Sequence, residues 1–372
     1  MSTERERKFF CDFSQMTQLI DNRNSQDPHF ITQHYLTALD ADTELRIRRT
    51  ASAYDDNQYA ATRKVGHGEY RDETEISITP LAYRSLGELA CASLYKERYT
   101  LWQPGVTLDR FTTGVSRLWG LIEAEQQPDG EDIGLFDPLS LGVGTMSEVT
   151  GQPDFTSRYS ARELTLPEAQ YGSYEETSMR IRELLKNASQ PVIVTLGGPS
   201  ASGKSTLLER FKADFGDQCT TISTDNYYIG KTRMRTEMPT GEIQNFDHPA
   251  AIDTARLARH LQQLHRGETI ELPWYDMKTS EPVPYTSDFS PSSLIIVEGI
   301  VANQPVLREL SDLSICLTAP LATRLERRAQ RDTERKGYDY ATTMANFLNL
   351  VEPSYQAYHA PEDAHADITL QS

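Results

Sequence analysis

Val192-Ile193-Val194-Thr195-Leu196 is followed, one residue on, by Gly198-Pro199-Ser200-Ala201-Ser202-Gly203-Lys204-Ser205. The first five residues form a continuous apolar run, which reads as a strand buried on both faces of a parallel sheet. The next eight fit G-x-x-x-x-G-K-[ST], and Thr206-Leu207-Leu208-Glu209-Arg210-Phe211 continues as a helix. Glycines let backbone N–H groups turn towards phosphate oxygens, and the helix N-terminus adds the positive end of its dipole. Lys204 is then placed to reach the β/γ-phosphates of ATP and the Ser205 hydroxyl to bind Mg²⁺. Gly198 to Thr206 therefore form the predicted nucleotide site.

Downstream, Leu294-Ile295-Ile296-Val297 is a second continuous apolar strand, with helical and loop sequence between. Alternating strands and helices of this kind predict an α/β domain with a mainly parallel sheet. Cys219 to Thr224 reads as another strand, with Asp225 at its carboxyl end, where ligands of open α/β sheets collect. A carboxylate there can accept the proton of an attacking hydroxyl, although a helix cap or loop acid would look the same. Glu298 ends its strand in the same way and is a candidate to hold metal through water. Arg324, Arg327, Arg328 and Arg331 follow i, i+3, i+4, i+7 spacing, one helical face. Beside a phosphate site in an acidic chain, that stripe reads as a lid over the transferring phosphoryl group.

Upstream the grammar changes. From Glu4 to about Leu164, charged and apolar residues alternate with period two, the mark of strands. Glu4-x-Glu6-x-Lys8 places three side chains on one face, and the pattern recurs in Arg46 with Arg48, Thr62 with Lys64, Arg71 with Glu73 and Glu75, Lys96 with Arg98, and Glu123 with Glu125. Leu45, Ile47, Ile76 and Ile78 take the opposite parity. One such face is an ordinary wet sheet surface. Six, carrying both signs, fit a barrel whose interior they line. A polyphosphate bridged by Mg²⁺ or Mn²⁺ would satisfy carboxylates and cations together. Pro80 to Tyr95 and Glu175 to Asn187 read as helical, and Pro167 to Tyr174 as the boundary between the two grammars.

The chain has 372 residues, enough for two or three domains, with 54 acidic against 37 basic side chains and a net charge of −17. That surface repels nucleic acid and anionic membrane, and no run approaches the length needed to span a bilayer. Hydrophobic residues make up 38%, compatible with packed cores. Cys11, Cys91, Cys219 and Cys316 have neither zinc-ligand nor disulfide spacing, and the N-terminus has no signal-peptide pattern. The expectation is a cytoplasmic multidomain protein with small-molecule partners; homo-oligomerisation is left open.

The second half resembles the uridine kinases and their phosphoribulokinase relatives. The matching pieces, in order, are Gly198–Ser205, Thr224-Asp225-Asn226-Tyr227-Tyr228, Asn245-Phe246-Asp247-His248-Pro249, Trp274-Tyr275-Asp276, Val297-Glu298-Gly299-Ile300, and Thr323-Arg324-Leu325 with Arg327-Arg328 and Arg331-Asp332. The resemblance implies that Asp225 is the catalytic base, that Asp247, His248 and Tyr275 lie by the acceptor, and that Arg324, Arg327, Arg328 and Arg331 belong to the phosphate-binding lid. It breaks off in the acceptor pocket. Met277 and Ser280 stand where an aromatic residue and a histidine are usual, Tyr338 where an arginine is usual, and Asn346-Phe347 where a Gln-Tyr pair is usual.

The first half resembles the CYTH domain, the triphosphate tunnel metalloenzymes, whose opening signature is Glu-x-Glu-x-Lys. Tyr35-Leu36, Asp109 and Glu148 through Tyr159 extend the likeness over about residues 2–165. It implies an eight-stranded antiparallel barrel that hydrolyses or cyclises triphosphates. Glu4, Glu6, Glu73, Glu75, Glu123 and Glu125 are then metal-side candidates, while Lys8, Arg46, Arg48, Lys64, Arg71, Lys96 and Arg98 would grip phosphates.

The sequence thus predicts a tunnel domain over 1–168, a linker and lead-in helix over 169–190, and a P-loop kinase domain over 191–372. Its expected activities are metal-dependent triphosphate hydrolysis and ATP-dependent phosphoryl transfer to a small hydroxyl acceptor. The alternative is a single triphosphatase, pyrophosphatase or cyclase whose kinase-like half only senses nucleotide.

Overall fold

The computed structural model describes residues 2–21, 28–37, 43–52, 56–66, 70–111, 120–125, 136–143, 145–150, 162–163, 171–238 and 245–372. They divide into two units, Met1–Pro167 with Tyr338–Asn349, and Glu168–Gly337 with Leu350–Ser372.

The first unit is built from β1 (Ser2–Cys11), β2 (His29–Tyr35), β3 (Thr43–Ala51), β4 (Gln58–Val65), β5 (Tyr70–Ser77), β6 (Ala92–Thr100), β7 (Val106–Phe111) and β8 (Gly120–Glu125), with the short β9 (Ser147–Glu148) and β10 (Arg162–Glu163). All pair antiparallel in one sheet, in the order β10-β6-β2-β3-β4-β5-β1-β8-β7, with β9 on β1 and a further pairing of β6 with β7. Each of β1 to β8 consequently has a paired neighbour on both sides. The period-two pattern explains how this sheet is buried. Leu45, Ile47, Leu108 and Ile122 lie buried on one parity. On the other, Glu6, Lys8, Lys64, Lys96 and Glu123 are each less than a tenth exposed. These five are therefore not a wet sheet face.

The helix expected over Pro80–Tyr95 is shorter. It runs Pro80–Gly87, started by Pro80 and by Thr79, whose hydroxyl accepts the Ala82 N–H. Ala92 onwards belongs to β6, paired with β2 on one side and β7 on the other. Two ladders of backbone hydrogen bonds there override local helical preference.

In the second unit, β11 (Val192–Gly197), β12 (Cys219–Ser223), β15 (Leu294–Glu298), β16 (Leu313–Thr318) and β17 (Ile368–Gln371) form a wholly parallel sheet ordered β12-β15-β11-β16-β17; β13 (Ile270–Asp276) and β14 (Glu281–Phe289) form a separate hairpin. The continuous apolar runs are buried on both faces. Ile193, Ile222, Ile295 and Val297 meet Leu257 and Leu261 of the helix Thr254–His265. Val194, Leu196 and Ile296 pack with Leu208 and Phe211 of the helix Lys204–Phe215. A helix Tyr174–Asn187 leads in, opened by a Ser173/Glu176 capping box. Register sets Leu196 and Ser223 opposite Glu298, so β11, β12 and β15 end at one level. Among the described residues, no helix is long and apolar enough to cross a membrane.

Candidate functional site

At that level the chain leaves β11 as the phosphate loop. Gly198 has φ +127°, and a Cβ there would stand 2.1 Å from the Leu317 carbonyl oxygen, so only glycine lets the backbone turn this close to β16. The loop ends at the start of the helix Lys204–Phe215. Lys204 Nζ donates to the carbonyls of Gly198 (2.7 Å) and Pro199 (2.8 Å). Burial pulls its pKa below the ordinary lysine range, against the opposing charges of Glu298, Asp363 and Asp225. Ser205 and Thr206 lie exposed in the first turn of this helix.

Two residues past β12, Asp225 sits in the 3-10 turn Thr224–Tyr227, its N–H donating to Ser223 Oγ at 3.3 Å. Ser223 in turn donates to Glu298 Oε1 at 2.9 Å, joining the ends of β12 and β15. Burial, reinforced by the Glu298 charge and opposed by Lys204, pushes the Asp225 carboxyl up to about 6. Asp247 is also pushed to about 6 by burial, with Arg328 and Lys204 opposing. The Asp247 carbonyl accepts from His359 Nε2 at 2.6 Å, which fixes the main chain behind that carboxyl. Tyr275 lies against Tyr228, centroids 5.1 Å apart, and Tyr228 against Phe246 at 5.7 Å. His248 caps the turn Pro249–Ala251 through Nδ1, and its ring meets Tyr358 at 4.7 Å. Met277 is 59% exposed.

The four arginines do lie on one helix, Leu321–Lys336, but do different things. Arg328 Nη1 donates to Ser200 Oγ of the phosphate loop at 2.9 Å. Arg327 Nη1 reaches the Ala201 carbonyl at 3.5 Å. Arg331 Nε stands 3.5 Å from Asp332 Oδ1. Arg324 is buried and turned away, its Nη1 and Nη2 donating to Glu352 Oε2 (2.6 Å) and Oε1 (2.8 Å) and its Nε to the Ala319 carbonyl (2.9 Å). Spacing alone missed Glu352, since nothing local links positions 324 and 352.

In the first unit, register sets Glu6 opposite Glu125 and Lys8 opposite Glu123. Carboxylate oxygens of Glu6, Glu123 and Glu125 lie within 4.8 Å of one another. Lys8 Nζ stands 2.8 Å from Glu123 Oε1 and 3.2 Å from Glu6 Oε1. Asp109, fully buried, accepts from Lys96 Nζ and from Arg98 Nε (2.6 Å) and Nη2 (2.7 Å), and Arg98 also donates to Glu123. Burial, opposed by the charge of Asp109, lowers Lys96 to about 8. Lys64 pairs with Glu73 at 2.9 Å, Arg48 with Glu75 at 3.1 Å and Arg46 with Glu44 at 3.1 Å. The side chains of Glu4 and Arg71 lie outside the described residues. Charge alternation found the basic and acidic sets but assigned no role to Asp109, whose β7 strand carries a single charged pair, Asp109-Arg110.

Residues 193–372 match the sequence model of the Phosphoribulokinase / Uridine kinase family. A uridine kinase of Shewanella sp. (strain ANA-3) is 34% identical over 190 residues, spanning 50% of this chain and 89% of that protein. A uridine kinase of Clostridium perfringens (strain SM101 / Type A) is 32% identical over 183 residues, 49% of this chain and 87% of its own. The crystal structure of an inorganic triphosphatase covers 45% of this chain and 99% of its own at 22% identity, with a TM-score of 0.28, too low to bear on fold or activity.

Proposed function

Because the chain belongs to the phosphoribulokinase/uridine kinase family through residues 193–372, we propose that this half moves the γ-phosphoryl group of ATP onto a hydroxyl of a nucleoside-like small molecule. The observation that carries this reading is the meeting of the phosphate loop, Asp225 and Glu298 at one edge of the parallel sheet. Asp225 takes the hydroxyl proton as the oxygen–phosphorus bond to the acceptor forms and the bond to ADP breaks. A carboxyl near 6 is ionised at neutral pH yet basic enough for that task. Lys204 and Arg328 offset the charge on the phosphates, and Asp247 orients the acceptor. Ser205 and Glu298 offer the hard oxygen donors that suit Mg²⁺, which would screen the phosphates when bound. Met277 and Ser280, in place of larger partners, leave room for an acceptor other than uridine. The test is ADP formation across a panel of nucleosides, with the Lys204→Ala protein as blank. A reading as nucleotide sensor alone gains if ATP binds and no acceptor stimulates ADP release.

For the first unit we propose that the ring of paired strands β1 to β8 closes as a tunnel that holds and hydrolyses a triphosphate. The carboxylates of buried Glu6 and Glu123 and of the more exposed Glu125, beside buried Lys8 and Lys96 and half-buried Arg98, support it. Three converging carboxylates fit a hard divalent cation, Mg²⁺ or Mn²⁺, which would polarise the terminal phosphate when bound. The basic side chains hold the remaining phosphate oxygens. Phosphate release from inorganic triphosphate by the Lys204→Ala protein, with and without each metal, tests this separately from the kinase half.

A further inference from the structure

Asp332 is 1% exposed, and three cations surround it on its own helix. Arg328 Nε stands 3.3 Å from Oδ2, Arg331 Nε 3.5 Å and Lys336 Nζ 3.8 Å from Oδ1. An Arg–Asp pair spaced i, i+4 contributes little on a wet helix. This one is buried, where a carboxylate persists only if its charge is compensated. Arg328 gives the pair a direction. Its Nε lies within ion-pair reach of Asp332 Oδ2, without hydrogen-bond geometry, while Nη1 donates to Ser200 in the phosphate loop, and its charge acts on the acceptor-side Asp247. A guanidinium is a rigid plane, so a charge that draws one edge towards it biases where the other nitrogens point.

We propose that Asp332 is a positioning residue for phosphoryl transfer, drawing the Nε edge of Arg328 towards it by charge so that Nη1 stays on the phosphate loop. This rests on the kinase reading. Removing the carboxylate leaves the Arg328 charge in place but its direction loose. Ground-state attraction for ATP is kept, or grows as a nearby negative charge disappears, whereas the transition state loses an aligned donor.

The experiment uses full-length protein and Asp332→Asn, following ADP formation with each of uridine, cytidine, adenosine, guanosine and inosine as probe acceptor and with water alone, after subtracting the Lys204→Ala rate. We expect kcat to fall about ten- to a hundredfold while KM for ATP stays level or drops. In an Arg328→Ala background, Asp332→Asn should change kcat little, because its effect runs through that arginine. An equal fold-loss in both backgrounds overturns the proposal, leaving Asp332 a structural acid. If Asp332→Asn does not fold, Arg328→Lys keeps the charge without the Nε–H, and the same kcat-only loss is expected; parent-like kcat there overturns the proposal. A parent no faster than Lys204→Ala with every one of these nucleosides overturns the kinase reading and this inference with it. An active parent with an unchanged Asp332→Asn overturns the inference alone.

Discussion

Asp225→Asn replaces the carboxylate at the end of β12 with a neutral group of the same shape. Burial, the Glu298 charge and the opposing Lys204 place that carboxyl at about 6. A base works only when ionised, so about 10% of the parent is competent at pH 5 and about 90% at pH 7. Its kcat should therefore rise roughly tenfold across that interval. The rise is steeper if Asp247, also at about 6, must ionise as well. Asparagine removes the base, for which a loss of ~10²–10⁴-fold is expected, or about 3–5.5 kcal/mol of barrier. What turnover remains should lose the Asp225 part of the acid limb. The assay is initial ADP formation from pH 5 to 8.5 at saturating ATP and acceptor, with calorimetry to confirm that the variant still binds ATP. A variant within a few-fold of the parent, with the same acid limb, would refute the assignment and leave Asp225 a turn residue.

Three further outcomes are expected. Arg324→Ala strands the buried Glu352 carboxylate and should cost about 3–5 kcal/mol in thermal or denaturant unfolding, whereas Arg324→Met with Glu352→Leu recovers most of it; a near-neutral single variant would refute this. Gly198→Ala drives a Cβ against the Leu317 carbonyl at a positive φ, so ATP binding measured by calorimetry should be lost or the unit should unfold. Glu123→Gln removes a carboxylate shared by Lys8, Arg98 and the Glu6/Glu125 group, and should abolish metal-dependent phosphate release from triphosphate while ATP-dependent transfer by the second unit persists; equal loss of both activities would show that the two sites are not separable.

The parts of the second unit that were legible in sequence are those whose chemistry is written locally. A strand buried on both faces needs a continuous apolar run, and a phosphate loop needs glycines at set spacing before a helix, so Val192–Ser205 could be read without any partner. The helix bearing Arg324 to Arg331 was readable too, from its spacing. The division of labour along it was not. Whether an arginine on that helix faces phosphate or a buried acid depends on Glu352, 28 residues on, and on the phosphate loop, more than a hundred residues back.

Period-two alternation determined that the first half is made of strands and which residues share a face, because side chains alternate across any extended backbone. It left open whether the charged face is wet. Only the pairings decided that, β1 joining both β5 and β8 and β6 joining β7 as well as β2, which bury Glu6, Lys8, Lys64, Lys96 and Glu123 along with their apolar neighbours. The same pairings ended the helix expected to Tyr95 at Gly87, since two flanking strands offer Ala92 onwards more hydrogen bonds than a lone helical turn. Strand pairing is a long-range property. Which distant segment lies alongside is settled by burial over the whole unit, and that energy belongs to no single stretch of the chain.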